Sequence, residues 1–316
     1  MNLKIKKQHG RSLVELMIAM AIGLVIMLAI SSLYVTNTQT YRATDDKALM
    51  EENGRLALNM MAYHTRMVGL GELVNATPQR DAGGGSTSFV PTNTAGFGIF
   101  GCSGGFVNPV NAIPTCNTSA TGPDSFLVSY VVDMDNANSA SVAGAMSPLD
   151  CVGQAVANAN SVVENRYYLA SNPATGRQEL YCVGNGGAAP GTNLNPGRAI
   201  VDNVVDMKIT YGYDANGNQS IDGFFTASAV AALPQPADPD IAVENASGGN
   251  PAAQLWAKVI SAKICIVIRS SNDGLATTPM QYRDCSDALV TATDRRLYSK
   301  FSTVVALRGR ISGRTL

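Results

Sequence analysis

From Leu16 to Ile30 the chain is an unbroken apolar run, and a single carboxylate, Glu15, stands at its head. The segment before it is short and basic: Met1–Gly10 carries Lys4, Lys6 and Lys7. Extended to Val35, the run has about the length needed to cross ~30 Å of hydrocarbon. A charge is costly inside a membrane, less so near an interface, so an ionisable residue in such a segment is a functional-site hypothesis by default. A buried carboxylate is far less expensive when paired with an ammonium than when alone. The other reading of Glu15 is a glutamate that snorkels to the interface, since it lies just outside the run.

A secretory signal peptide also joins a basic start to an apolar core, but its small-residue cleavage site follows the core. Ser31-Ser32-Leu33-Tyr34-Val35 offers no clear site of that kind. A plain transmembrane anchor fits the length but leaves the Gly10-x-x-x-x-Glu15 spacing without a reason. The lysines and Arg11 lie on one side of the run. The positive-inside rule therefore places the N-terminus in the cytoplasm and the bulk of the chain outside.

The 316 residues suffice for one or two domains beyond the anchor. Charged residues make up only 15%, against 46% hydrophobic, a balance that suits an extracytoplasmic β-rich domain better than a cytosolic enzyme. The net charge is −1, so no basic surplus points to nucleic acid. Six cysteines, Cys102, Cys116, Cys151, Cys182, Cys265 and Cys285, all lie beyond the anchor. An even count in a periplasmic domain favours disulfides. Connectivity stays open from sequence; the short-range set Cys102–Cys116, Cys151–Cys182 and Cys265–Cys285 is preferred. A zinc site would need Cys-x-x-Cys or neighbouring histidines, and neither occurs.

The apolar run continues without proline through Thr36 to Gly69. Leu49, Leu56, Met60, Tyr63 and Met67 recur at spacings that predict one face of a helix, with Glu51, Glu52, Arg55 and Arg66 on the polar side. Gly54 interrupts the pattern, since glycine costs about 1 kcal/mol in a helix interior. One helix is expected from Ser12 to Gly69, apolar all round in its first half and amphipathic in its second. Pro78 to Pro123 reads as loop-rich. Strands are expected at Ser125–Val132, Arg166–Ala170, Glu179–Val183, Val201–Tyr213, Lys258–Arg269 and Tyr298–Leu307. Ala227 to Pro251 reads as a surface excursion. The sum is an α+β fold with one long leading helix and a mainly antiparallel sheet domain carrying disulfide-bearing loops.

Asp214, Asn216, Asn218, Ser220 and Asp222 place oxygen-bearing side chains at alternate positions, as the start of an EF-hand-type Ca²⁺ loop does. Gln219 stands where glycine is usual, and Phe225 where the bidentate glutamate would be. A weak Ca²⁺ site and an Asn-Gly hairpin turn are the two readings. Catalysis finds little support. Of the two histidines, His9 precedes Gly10, and His64 is expected to face solvent from the helix. Cys102 beside Ser103-Gly104-Gly105 is more simply a disulfide half than a thiol nucleophile. No enzyme activity is expected.

Gly10 to Glu15 before an apolar run resembles a type IV prepilin (class III) signal. The wider chain resembles the PilW minor pilins of type IV pili, relatives of the type II secretion pseudopilin GspJ. The resemblance runs in order through Glu51-Glu52-Asn53-Gly54-Arg55-Leu56-Ala57, Phe100-Gly101-Cys102, Pro123-Asp124-Ser125, Asn165-Arg166-Tyr167-Tyr168, Leu180-Tyr181-Cys182, Tyr211-Gly212 and Val304-Val305-Ala306-Leu307-Arg308. It departs at Arg11, where pilins commonly carry Phe or Met.

The resemblance implies cleavage by a prepilin peptidase between Gly10 and Arg11, and methylation of the new terminus. Glu15 becomes the fifth residue and meets a free N-terminal amine during assembly. The implied segments are a leader at 1–10, a transmembrane and filament-core half-helix at 11–35, an amphipathic half at 36–70 and a periplasmic domain at 71–316. Implied partners are membrane lipid, the major pilin, other minor pilins and a tip adhesin. The implied role is a non-catalytic subunit that primes pilus assembly at the tip. The alternatives are a type II secretion pseudopilin and a membrane-anchored periplasmic binding domain outside any filament.

Overall fold

The computed structural model describes residues 12–68, 98–119, 121–131, 139–142, 145–156, 162–188, 192–234 and 255–308. The chain divides into two units, Met1–Ala48 and Leu49–Leu316. Helix α1, Leu13–Arg66, runs through the division. In the first unit every described side chain from Leu13 to Val35 is exposed. The expected leader at 1–10 lies outside the described residues.

The second unit is built on two antiparallel sheets. In chain order the strands are β1 (Ile99–Cys102), β2 (Ser125–Val131), β3 (Ser139–Val142), β4 (Ala145–Pro148), β5 (Val162–Ser171), β6 (Gln178–Gly184) and β7 (Arg198–Asp202). Then come β8 (Val204–Tyr213), β9 (Gly223–Thr226), the short helix α2 (Ala227–Ala231), β10 (Val259–Arg269), β11 (Gln281–Arg283), β12 (Leu289–Thr291) and β13 (Tyr298–Ala306). One sheet has the order β1-β2-β5-β6-β7 and the other β13-β10-β8-β9. β3–β4 and β11–β12 are separate hairpins.

Alternation sets the inner face of the second sheet. Ala262, Ile264, Ile266 and Ile268 of β10 are fully buried. Their registered partners on β8 include Tyr211, Ile209 and Met207, and on β13 Val305 and Phe301. One core cluster gathers these residues with Met50, Ala57, Met61 and Val68 of α1 and Phe126, Tyr167, Leu180 and Val201 of the first sheet.

The structure corrects three expectations. Val201–Tyr213 is not one strand. It breaks at Asn203, whose φ is +60°, and the chain passes there from β7 in one sheet to β8 in the other. Asparagine tolerates that left-handed conformation better than most residues. Apolar alternation runs on through the break and so hides it. Two elements also lie where loops are expected: β1 within 78–123, and α2, capped by the Thr226 side chain on Ala229 N–H, within 227–251.

The third correction concerns the buried face of α1. Leu49, Leu56 and Tyr63 are exposed at 45%, 50% and 42%, whereas Met67 is buried and Met60 packs against the core. The buried line is instead Met50, Gly54, Ala57, Met61, Thr65 and Val68. Gly54 approaches the sheet closely. A Cβ built there would lie 2.7–2.8 Å from atoms of the Phe301 ring. Gly54 is on the buried line because its missing side chain admits that ring, whereas side-chain hydrophobicity alone turns Leu49, Leu56 and Tyr63 inward.

Gly54→Ala is therefore expected to destabilise the fold although alanine is the better helix former. The propensity gain of about 1 kcal/mol is outweighed by overpacking, typically about 1–3 kcal/mol. Urea melts of the detergent-solubilised protein should show the loss, and Phe301→Leu in the same chain should recover part of it as a coupled pair. An unchanged or raised midpoint in Gly54→Ala would contradict the packing argument.

Candidate functional site

Glu15 lies in the first turn of α1. The backbone there is already helical, since Leu16 N–H donates to Ser12 O at 3.2 Å. Large apolar side chains surround Glu15 along the helix and all are exposed, Leu13, Val14, Leu16, Met17 and Ile18 among them. α1 is long and apolar enough to cross a membrane. A carboxylate in the first turn also meets the positive end of the helix dipole. Gly10 and Arg11 lie outside the described residues.

A row of hydroxyls follows the apolar run. Ser32 donates to Ala29 O, Thr36 to Ser32 O, Thr40 to Thr36 O and Thr44 to Thr40 O, each at 2.9 Å. These residues are four apart and share one helix face. Bonding back to the helix satisfies each hydroxyl without water, so the row tolerates lipid or a neighbouring helix as well as solvent.

The three disulfides join Cys102 to Cys116, Cys151 to Cys182 and Cys265 to Cys285. The first closes a loop over the outer face of the five-stranded sheet, and Arg166 holds that loop from beneath. Its guanidinium donates to the carbonyls of Pro109 at 2.8 Å, Asn111 at 2.5 Å and Ala112 at 3.2 Å. Its Nε contacts Glu164 Oε1 at 2.6 Å, with both side chains fully buried. Burial pushes the Glu164 carboxyl upward and the Arg166 charge opposes that shift. The third disulfide holds the β11–β12 hairpin near β8, where Cys285 N–H donates to Asp206 Oδ2 at 3.1 Å.

The oxygen-rich stretch forms the whole connection between β8 and β9, not a two-residue Asn-Gly turn. Buried Asp214 accepts backbone N–H groups from Gly217 at 2.7 Å and Asn218 at 3.2 Å on Oδ1, and from Gln219 at 2.9 Å on Oδ2. Asn218 Oδ1 accepts from Ser220 N at 2.8 Å, and Asp222 Oδ2 from Ala215 N at 2.8 Å. Gln219 takes φ +65°, the left-handed conformation that glycine usually supplies there. Lys258 Nζ donates to Ala215 O at 2.7 Å, which brings a cation to the loop's flank. Among the described residues no three His, Cys, Asp or Glu side chains gather as a metal site.

His64 departs from expectation. It is buried, not solvent-facing. Its Nδ1 meets Tyr167 Oη within hydrogen-bonding distance. Its ring stacks on Tyr130 at 6.2 Å between centroids. Desolvation lowers its pKa from 6.5 to about 4. Position 64 lies off the expected line of Leu49, Leu56 and Tyr63 but beside the observed one through Met61 and Thr65, which carries it into the core.

Two family profiles match the chain. "Prokaryotic N-terminal methylation motif" covers residues 5–31, and "Type IV Pilus-assembly protein W" covers residues 166–309. No curated protein matches. Among solved structures, a type IV-like pilin from Thermus thermophilus aligns over 85% of this chain and 98% of its own, at 13% identity and a TM-score of 0.36. An apolar leading helix with a methylation motif, joined to a disulfide-bonded antiparallel sheet domain, defines a type IV pilin-like protein. Residues 166–309 are similar to the type IV pilus-assembly protein W family, and residues 5–31 carry the N-terminal methylation motif. That family is one of structural filament subunits.

The buried imidazole makes stability pH-dependent. Above 6.5 His64 is neutral in both the folded and the unfolded chain. As pH falls from 6.5 towards about 4, the unfolded chain takes up a proton that the folded chain refuses, so stability is lost across that window. At about 1.4 kcal/mol per pH unit, the loss is on the order of 3 kcal/mol. Urea melts at neutral pH and at the acid end of the window should show it. His64→Gln should flatten the difference, and an equal slope in that variant would assign the loss to other groups.

Proposed function

We propose that this protein is a minor pilin that helps to prime type IV pilus assembly as part of a tip or initiation complex. The observation that carries the proposal is Glu15 in the first turn of an exposed apolar helix, inside the stretch that matches the methylation motif. A helix of that kind needs lipid or other apolar helices around it. In lipid, the partner of the Glu15 carboxylate is the chain's own new N-terminal amine. In a filament, it is the amine of an adjacent pilin, which gives register to otherwise featureless apolar packing. Leu49, Leu56 and Tyr63 are left exposed on the second half of the helix, apolar side chains that a neighbouring subunit would cover.

In this reading prepilin peptidase cuts between Gly10 and Arg11 on the cytoplasmic face. The chain then sits once through the inner membrane with its sheet domain in the periplasm, until it enters the pilus beside the major and other minor pilins. Intact-mass analysis of membrane-extracted protein should give a chain beginning at Arg11. Glu15→Ala should leave the protein folded and inserted but reduce piliation and co-purification with other pilins. An uncleaved chain in peptidase-competent cells would favour a periplasmic domain on a plain anchor. Unchanged piliation in Glu15→Ala would favour the snorkelling glutamate.

We further propose weak Ca²⁺ binding at Asp214, Asn216, Asn218, Ser220 and Asp222. The left-handed Gln219 and the three N–H groups gathered on Asp214 favour it. With two carboxylates the affinity should fall near ~10⁻⁴–10⁻³ M, as in extracellular sites. Millimolar Ca²⁺ should raise the melting temperature above that in chelator, and Asp214→Ala with Asp222→Ala should abolish the shift. Equal melting temperatures would leave the loop a structural connection.

A further inference from the structure

The chain contains three Asn-Gly pairs, at 53–54, 185–186 and 216–217. Their surroundings differ in a way that bears on chemistry. Asn53 and Gly54 are inside α1, where the backbone is held helical. Asn185 is buried, with its carbonyl oxygen bound to Glu164 N at 3.0 Å and its Nδ2 to Val162 O at 2.9 Å. Asn216 is exposed in the loop between β8 and β9, and three contacts converge on its junction with Gly217. The Gly217 N–H donates to Asp214 Oδ1 at 2.7 Å. Asn218 N–H donates to Asn216 Oδ1 at 3.0 Å, which folds the side chain back over the 216–217 peptide. Asn216 Nδ2 donates to Asp222 Oδ1 at 3.4 Å.

We propose that Asn216 is a site of spontaneous deamidation through a succinimide, promoted by the folded loop. The attacking atom is the Gly217 amide nitrogen, and no side chain on Gly217 obstructs it. The Asp214 carboxylate accepts the nitrogen's proton, a base already within hydrogen-bonding reach. A bond forms between that nitrogen and Asn216 Cγ, and Oδ1 takes the negative charge facing Asn218 N–H, which acts as an oxyanion donor. The Cγ–Nδ2 bond then breaks. The proton held by Asp214 leaves with Nδ2 as ammonia, directly or by way of solvent water. Water opens the imide at either carbonyl to aspartate or isoaspartate. The net change is amide plus water to acid plus ammonia. It places a third carboxylate between Asp214 and Asp222.

The detergent-solubilised full-length protein, incubated at neutral pH with a chelator so that no cation occupies the Asp214 carboxylate, tests this by peptide mapping with isoaspartate detection. In the native protein Asn216 should convert at least as fast as in the urea-unfolded chain, while Asn53 and Asn185 should keep their amides until unfolding. Asp214→Asn should slow native conversion several-fold without changing the rate in urea. A native Asn216 that keeps its amide, or converts faster only once the chain is unfolded, would overturn the proposal. That comparison within the wild-type protein decides the matter even if Asp214→Asn does not fold.

Discussion

The ring of Phe301 occupies the space that any side chain at residue 54 would need. That contact fixes which face of α1 meets the sheets, and much else follows from it. With Gly54 against the ring, Met50, Ala57 and Met61 turn into the core, and so does His64. Leu49, Leu56 and Tyr63 are left outside. A helix that packed on its more hydrophobic side would present a different surface to its neighbours and leave the imidazole in water.

The outer faces of the two sheets are covered by different means. In each case a covalent link ties the covering loop to the sheet beneath it. Over the five-stranded sheet, the Cys102–Cys116 loop is held by its disulfide and by Arg166, whose charge is balanced by Glu164. A buried pair of this kind adds little net stability over apolar residues, but loss of one member leaves the other charge unpaired, typically at about 3–5 kcal/mol. Over the four-stranded sheet, the β11–β12 hairpin is tethered by Cys265–Cys285. The apolar half of α1 has no such cover among the described residues, and that contrast separates the part that folds in water from the part suited to lipid or to other helices.

Glu15, the apolar run and the alternation of β8, β10 and β13 were legible in the sequence because each depends on local pattern: a charge beside a span, or a period of two along a strand. The oxygen-bearing loop was legible as a composition, but its form was not. Gln219 adopts the left-handed conformation because Asp214 collects the backbone around it, and a residue-by-residue template rejects that position. Asn203 is the same kind of case. The alternation continues across it while the chain changes sheets.

A long helix with an apolar first half, a carboxylate at its head and a cysteine-bearing, strand-rich domain after it can be read from the chain alone. These follow from hydropathy, charge and period, which need no partner to be read. Only the tertiary structure decided the buried face of α1, the burial of His64, the Arg166 clamp and the crossing between sheets at Asn203. The first three depend on residues distant in the chain, Phe301 for Gly54, Tyr167 for His64 and the carbonyls of Pro109, Asn111 and Ala112 for Arg166. Packing selects by shape and partner, and a one-dimensional pattern of hydrophobicity carries neither.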